Sequence, residues 1–417
     1  METTLFDLAA LLLTLAAAFG YINHRWLKLP HAIGLVVIAL LASVGVLAFD
    51  LVAPALGFGE TVRGAVKSID FPDVLMKGML SFLLFAGALH VDLGEMAQRK
   101  WAIGAMATLG VLISTFVVGY ATFFVAGWLG FTISLSYCLV FGALISPTDP
   151  IAVLGILKNI DVPASLEAKI AGESLFNDGV GIVVFTIMVA IAVGAEGDHP
   201  ITAFGIAELF VVEAIGGAVL GLVAGFLAYR AIGSIDEHNL EVLITLAMVA
   251  LTYSVALVMH VSGPIAVVVA GILIGNHGKK FAMSETTRDH LFKFWSLTDE
   301  VLNSILFLMI GFEVLALTFT GSISLAMVAA VPIVLVARFI AVAVPITGLS
   351  TMREFTKGAI LVLTWGGLRG GISVALALSL PDFADKDLIL ALTYGVVIFS
   401  IVVQGLTVGR VARRVVR

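Results

Sequence analysis

The sequence predicts an all-α polytopic membrane protein, and two observations support this fold class. Hydrophobic residues make up 60% of the 417 residues and charged residues only 12%, whereas soluble domains carry about 25% charged residues. Apolar runs of about 18 residues or more recur along the whole chain, each long enough to cross a hydrocarbon core about 30 Å thick. We therefore expect one membrane domain over residues 1–417, without a cytoplasmic regulatory domain.

About 13 transmembrane helices are predicted from these apolar runs. Their approximate bounds are 5–22, 32–49, 71–90, 102–127, 131–157, 169–194, 203–230, 240–259, 262–275, 297–317, 323–347, 357–380 and 388–409. The segment before the tenth span, 276–295, is basic, and Ser284 is a candidate helix start within it.

The distribution of lysine and arginine predicts the orientation, because these residues concentrate in cytoplasmic loops. Placing the N-terminus outside and the C-terminus in the cytoplasm puts four basic residues outside, namely Arg63, Lys67, Lys77 and Lys386. Seventeen lie inside, namely Arg25, Lys28, Arg99, Lys100, Lys158, Lys169, Arg230, Lys279, Lys280, Arg288, Lys293, Arg353, Lys357, Arg410, Arg413, Arg414 and Arg417.

The fifth span contains two prolines at mid-depth, in the stretch SPTDP (146–150). Proline removes a backbone donor and clashes with the preceding turn, so this helix should open around Thr148 and Asp149. An opened backbone offers carbonyl oxygens that an intact helix would keep for itself.

The twelfth span is interrupted by glycines in the stretch WGGLRGG (365–371), which surrounds Arg369. Each glycine costs about 1 kcal/mol relative to alanine in a helix, so four of them favour a second break. The two interrupted spans lie seven apart and therefore run in opposite directions, as an inverted repeat requires. We expect two inverted repeats, about 1–195 and 240–412, whose discontinuous helices cross near the bilayer midplane.

Five ionisable side chains lie within this predicted core, where each costs about 2.5–3.5 kcal/mol if unpaired. They are Asp149, Glu173 and Asp178 against Arg338 and Arg369. Three negative charges against two positive charges leave one carboxylate that can take either a proton or a monovalent cation. We expect that carboxylate to be Asp178, with a structural ion pair between Glu173 and Arg369 and with Arg338 as charge compensation. Asp149 and Arg369 each carry the sign that suits their own helix end.

The sixth span supplies polar side chains in the stretch GESLFNDG (172–179). Ser174 and Asp178 are four residues apart and share one helix face, and Asn177 lies on the adjacent face with Glu173. Hard cations such as sodium prefer oxygen ligands. We expect Asp178, Ser174 and the opened backbone at Thr148 to bind sodium, while the Asn177 amide can tie this helix to its neighbour.

The motifs SPTDP, GESLFNDG and WGGLRGG, in this order, resemble those of the NhaP-type sodium/proton antiporters. These are bacterial and archaeal relatives of the NHE exchangers in the cation:proton antiporter family, and the resemblance covers essentially the whole chain. It implies the NhaA-like antiporter fold, a homodimer, a mobile six-helix core at about 102–194 and 323–409, and an interface domain from the remaining helices.

The resemblance also implies roles for individual residues. Asp178 looks like the ion- and proton-binding acid of the family, with Ser174 and Thr148 as cation ligands and Asp149 close behind them. Glu173 and Arg369 resemble the buried ion pair of the family, and Arg338 matches an arginine in the third-last span. The Asn177–Asp178 pair resembles that of members that are typically electroneutral.

One departure from the family pattern concerns the third span. Some relatives place an additional acid beside the site there, but the stretch FLLFAGALHVD offers Ala86 and Gly87 at that depth. Water or backbone groups would then complete the cation shell, which leaves the cation selectivity open.

Together these observations predict an electroneutral sodium (or lithium)/proton antiporter that exchanges one cation for one proton by alternating access at Asp178. We expect a protein of the inner (plasma) membrane with a role in pH homeostasis or salt tolerance. We expect neither an enzyme, a cofactor nor a nucleic-acid partner. Two alternatives remain open: a potassium/proton antiporter of the same fold, and an intramembrane aspartyl protease that uses Asp149 and Asp178 as a dyad.

Overall fold

A computed structural model describes residues 5–53, 57–67, 70–157, 160, 162–194, 203–316, 321–351 and 355–415. These described residues are almost entirely helical and contain no β-strand, apart from one isolated bridge. Ten of their helices are long and apolar enough to cross a membrane. The all-α membrane fold class is confirmed, whereas the number of thirteen transmembrane helices stays a prediction.

The described residues of the first half of the chain form eight helical segments. They are α1 Leu5–Ile22, α2 His31–Val52, α3 Phe58–Lys67, α4 Phe71–Leu89, α5 Leu93–Trp128, α6 Leu135–Leu144, α7 Ile151–Leu157 and α8 Ala164–Gly194. The second half forms α9 Ala203–Ile232, α10 His238–Val258, α11 Gly263–Leu273, α12 Glu285–Glu313, α13 Gly321–Ser350, α14 Ala359–Trp365, α15 Gly371–Leu378 and α16 Lys386–Val415.

Two helices begin in polar sequence, before the apolar run from which each was predicted. In both, a side chain caps the first turn. The Asp92 carboxylate accepts hydrogen bonds from the backbone N–H groups of Gly94 and Glu95, at 2.8 and 3.1 Å, so that α5 begins at Leu93 instead of near 102. Ser284 caps α12 by accepting from the N–H of Thr287 at 3.3 Å. Such caps satisfy backbone donors that a helix start leaves free. The predicted helix start at Ser284 is confirmed, and α12 continues without a break into the tenth span.

The two interrupted helices cross where their backbones open, as predicted. One break separates α6 from α7, and the other separates α14 from α15. At the crossing, the backbone N–H of Asp149 donates a hydrogen bond of 2.8 Å to the carbonyl oxygen of Leu368, which forms a short antiparallel bridge. The open segments therefore satisfy part of their backbone hydrogen bonding against each other.

Many large apolar side chains are exposed on the outer surface. Phe124 and Val328 are both 69% exposed, and Leu251 is 65% exposed. Soluble monomers rarely expose extended apolar patches, whereas lipid-facing helices require them. The crossing of the interrupted helices lies in the interior, away from this lipid-facing surface.

Candidate functional site

Arg369 holds the crossing of the interrupted helices together from the side of α14 and α15. Its Nη1 atom donates to the carbonyl oxygens of Ser146 and Pro147, the latter at 2.8 Å, and its backbone N–H donates to Ser400 Oγ at 2.9 Å. The Arg369 residue is only 1% exposed. The two carbonyls directly follow α6, so the guanidinium satisfies acceptors at the negative end of that helix.

Asp149, in the break between α6 and α7, approaches the start of α15 in the other interrupted helix. Its carboxylate lies against Gly370, where a Cβ atom would overlap the carboxylate oxygen Oδ2. Gly370 directly precedes the first turn of α15, and a helix start favours negative charge. Arg369 thus reaches the C-terminal end of α6, and Asp149 reaches the N-terminal end of α15. The sequence predicted only that each charge suits the end of its own helix. Glycine at 370 is what permits this approach.

A bidentate ion pair joins Glu173 of α8 to Arg338 of α13. Nη2 of Arg338 donates to Oε2 of Glu173 at 3.0 Å, and Nη1 contacts Oε1. Arg338 also donates to the carbonyl oxygen of Leu363 from Nη2, at 3.0 Å, and from Nε, at 3.3 Å. The predicted pair of Glu173 with Arg369 is therefore wrong as to the partner. The Arg369 guanidinium donates its hydrogen bonds to the carbonyl groups at the opened end of α6. The packing of α13 brings Arg338 to Glu173 instead.

Polar side chains of α8 hold the opened segment at Thr148. The Asn177 amide Nδ2 donates to Thr148 Oγ1 at 2.8 Å, and its Oδ1 accepts from the Thr148 backbone N–H at 3.3 Å. The Ser174 hydroxyl donates to the carbonyl oxygen of Thr148. All three residues are buried, with at most 4% of their surface exposed. The predicted role of the Asn177 amide as a tie between helices matches these contacts.

Asp178 lies one helical turn after Ser174 and is 7% exposed. Its carboxylate is repelled by that of Asp149, which lies in the break between α6 and α7. The fold thus brings together all five residues that the sequence predicts for cation and proton binding, namely Asp178, Ser174, Thr148, Asp149 and Asn177. The arrangement combines a carboxylate, two hydroxyls and opened backbone, which are the oxygen donors that a hard monovalent cation prefers.

The third span approaches the site through a small residue. A Cβ atom at Gly87 would lie 4.0 Å from Leu175 Cδ1, next to Ser174 in α8. Ala86 is buried, at 1% exposure. This part of α4 contributes packing against α8.

Two polar side chains of α16 belong to the crossing but were not identified from the sequence. Ser400 accepts from the backbone N–H of Arg369, and Gln404 Nε2 donates to the carbonyl oxygen of Trp365 at 3.0 Å. Both residues are buried in the otherwise apolar stretch GVVIFSIVVQGL (395–406) of that helix. A polar residue in such a run is itself a signal, because it must find a partner when buried.

A helical membrane fold in which two interrupted helices cross at buried charges defines an ion-coupled secondary transporter. The family model of the transmembrane sodium/hydrogen exchangers matches residues 12–414. The chain is 47% identical to the Na(+)/H(+) antiporter NhaP of Pseudomonas aeruginosa, over 98% of this chain and 96% of that protein. It is 36% identical to the Na(+)/H(+) antiporter NhaH of Halobacillus dabanensis, over 95% of each. The chain therefore belongs to the sodium/hydrogen exchanger family.

A solved structure shows the same fold at low sequence identity. The sodium proton antiporter MjNhaP1 from Methanocaldococcus jannaschii matches with a TM-score of 0.72 and 18% identity, over 98% of this chain and 97% of that one. The NhaA-like antiporter fold expected from the resemblance is thus confirmed. Since the family consists of cation/proton antiporters, the protein is a transporter and not an enzyme, and the aspartyl protease alternative is wrong.

Proposed function

We propose that the protein exchanges one sodium or lithium ion for one proton, without net charge movement, by alternating access at Asp178. The observation that carries this proposal is the tie between α8 and the opened segment. Thr148 is held by Ser174, which lies one helical turn before Asp178, and by Asn177, which directly precedes Asp178. The Asp178 carboxylate, the hydroxyls of Ser174 and Thr148 and the opened backbone would surround a bound cation, and a proton can occupy the same carboxylate when the cation is absent.

The charges around the crossing support electroneutral exchange. Glu173 and Arg338 neutralise each other in their ion pair, so the remaining charges are the carboxylates of Asp149 and Asp178 against the single guanidinium of Arg369. One negative charge is left over, and either one proton or one monovalent cation balances it. The loaded site then carries the same charge in both directions of transport.

The crossing also offers a place for the conformational change. The breaks between α6 and α7 and between α14 and α15 provide backbone that is not locked into helical hydrogen bonds. We propose that the six-helix core, about 102–194 and 323–409, moves against the remaining helices and exposes Asp178 alternately to the two sides. The inverted repeats at about 1–195 and 240–412 would supply the two related conformations.

Assembly and orientation complete the proposal. We propose a homodimer in the plasma membrane, with the N-terminus outside and the C-terminus in the cytoplasm, because this orientation places most arginine and lysine residues inside. A reporter that is active only in the cytoplasm, fused after residue 417, should be active. Light scattering of the purified protein should give the mass of two chains.

The transport proposal is tested with purified protein in proteoliposomes that contain a pH-sensitive dye. An inward gradient of sodium or lithium should alkalinise the lumen as protons leave, and an equal potassium gradient should have little effect. The potassium/proton alternative predicts the opposite ranking. Liposomes without protein and liposomes with Asp178→Asn provide the controls.

Electroneutrality needs a separate measurement. Clamping the membrane potential with potassium and valinomycin, at several potassium ratios, should leave the initial exchange rate unchanged. A rate that changes systematically with the imposed potential would show net charge movement and would contradict one-for-one exchange.

A further inference from the structure

A cavity of about 220 Å³ lies at one end of the core, outside the crossing. Its lining includes Arg99 and Trp101 near the start of α5, Ser165 and Lys169 in the first turns of α8, and Phe355 and Thr356 before α14. This volume is far above the roughly 10–15 Å³ that a single water requires on a comparable measure. The cavity can therefore hold a small polar group together with water.

Lys169 is the side chain that suggests what this cavity binds. The residue is only 4% exposed, and its Nζ atom lies 4.6 Å from the centroid of the Phe355 ring. Lys169 forms no ion pair or hydrogen bond with any residue that the structure describes. Burying an ammonium group without a counter-ion is costly, and contact with an aromatic face offsets only part of that cost. Among the described residues, the cavity thus presents a buried ammonium group without a paired carboxylate.

The groups beside Lys169 reinforce the preference for an anion. Arg99 also lines the cavity, and its positive charge opposes that of Lys169. Arg99 Nη1 is 2.5 Å from a carboxylate oxygen of Glu95, which is half-exposed, so one negative charge faces two positive charges. The hydroxyls of Ser165 and Thr356 lie 3.1 Å apart and add neutral donors. Guanidinium, ammonium and hydroxyl donors together match the oxygens of a phosphate group.

The residues around the cavity are typical of a location at the membrane surface. Trp101 is 62% exposed although it lines the cavity, and tryptophan is enriched where helices meet the membrane–water interface. Arg99, Lys100 and Lys169 belong to the predicted cytoplasmic side. Basic pockets between helices on that side suit anionic lipid head groups.

We propose that this cavity binds a phosphate group, from an anionic phospholipid or from free phosphate, with Lys169 and Arg99 as its counter-ions. The site lies apart from the carboxylates of the crossing and does not depend on the proposed exchange mechanism. Its test is accordingly a binding measurement.

The experiment measures thermal unfolding of the purified full-length protein in a zwitterionic lipid–detergent mixture. One arm titrates Tris phosphate against Tris chloride at constant ionic strength, so that no alkali ion is present. The other arm titrates phosphatidylglycerol against phosphatidylcholine. We expect a saturable rise in the unfolding temperature in at least one arm. A rise with phosphate alone assigns the site to free phosphate, and a rise with phosphatidylglycerol alone assigns it to a lipid head group.

Matched variants separate this site from general charge effects. Lys169→Gln should weaken the apparent affinity by about tenfold or more, the effect expected from losing one charged hydrogen bond, and Lys169→Arg should retain binding. Lys100→Gln removes the same charge from an exposed neighbour that does not line the cavity, and should leave the affinity unchanged. If Lys169→Gln does not fold, Arg99→Gln takes its place. The absence of a saturable shift in both arms, or equal affinities for wild type and the cavity variants, would overturn the proposal.

Discussion

Nη2 of Arg338 lies 3.0 Å from Oε2 of Glu173, and the second terminal nitrogen of the same guanidinium contacts the other carboxylate oxygen. Both side chains are buried, so removal of either one leaves an unbalanced charge, at a cost of about 3–5 kcal/mol. We expect Glu173→Gln and Arg338→Gln each to lower the unfolding temperature in detergent strongly. The double variant should lose clearly less stability than the sum of the two single variants.

A second cycle with Arg369 serves as the control for this pairing. Residues in direct contact typically couple by about 0.5–3 kcal/mol, whereas more distant residues are nearly additive. Glu173→Gln and Arg369→Gln should therefore combine more additively than Glu173→Gln and Arg338→Gln. Stronger coupling of Glu173 to Arg369 than to Arg338 would contradict the ion pair between Glu173 and Arg338.

Arg369 should be required for stability because its guanidinium donates hydrogen bonds to buried backbone carbonyl groups. In Arg369→Ala, the carbonyl oxygens of Ser146 and Pro147 lose their donor inside the protein, and each unsatisfied group costs about 1–3 kcal/mol. We expect Arg369→Ala to express poorly and to unfold at a markedly lower temperature. Arg369→Lys keeps a positive donor and should recover part of that stability. Wild-type stability of Arg369→Ala would show that other groups hold the crossing.

The sequence was sufficient to predict the two breaks but not the partner of Glu173 in its ion pair. Proline in SPTDP and glycine in WGGLRGG act on the backbone of their own segment, so their effect can be read locally. The partner of Glu173 depends on which faces of α8, α13 and α14 meet. Two arginines of equal charge satisfied the charge count equally well, and only the packing of α13 distinguishes Arg338.

The carboxylate of Asp178 should be indispensable for exchange but not for folding. Asp178→Asn keeps the size of the side chain and removes the group that binds the proton and the cation. We expect no sodium-dependent pH change in proteoliposomes, together with an unfolding temperature close to that of wild type. Asp289→Asn is a suitable control, because that carboxylate is exposed and paired with Lys293 at 2.7 Å on the surface. Residual exchange at the wild-type rate in Asp178→Asn would remove Asp178 from its proposed role.

The hydroxyl of Thr148 offers a test of the tie between α8 and the opened segment. Thr148→Val has a similar shape but leaves Asn177 Nδ2 without the acceptor it now has at 2.8 Å, whereas Thr148→Ser keeps the hydroxyl. A net hydrogen bond contributes about 0.5–1.5 kcal/mol. We expect Thr148→Val to raise the KM for sodium roughly 2- to 10-fold, and Thr148→Ser to change it little. Equal KM values for Thr148→Val and wild type would exclude a role of this hydroxyl in cation binding.

Competition between protons and sodium at one carboxylate predicts how exchange depends on pH. As the pH falls, Asp178 is increasingly protonated, and sodium must displace a proton in order to bind. The KM for sodium should therefore rise, by about tenfold for each pH unit once the protonated form dominates. Saturating sodium should restore the rate that acidity suppresses. Initial rates in proteoliposomes with equal pH on both sides, measured over a series of sodium concentrations, give KM at each pH. A KM that stays constant from acidic to alkaline pH would mean that proton and cation bind at separate groups, which is incompatible with exchange at Asp178 alone.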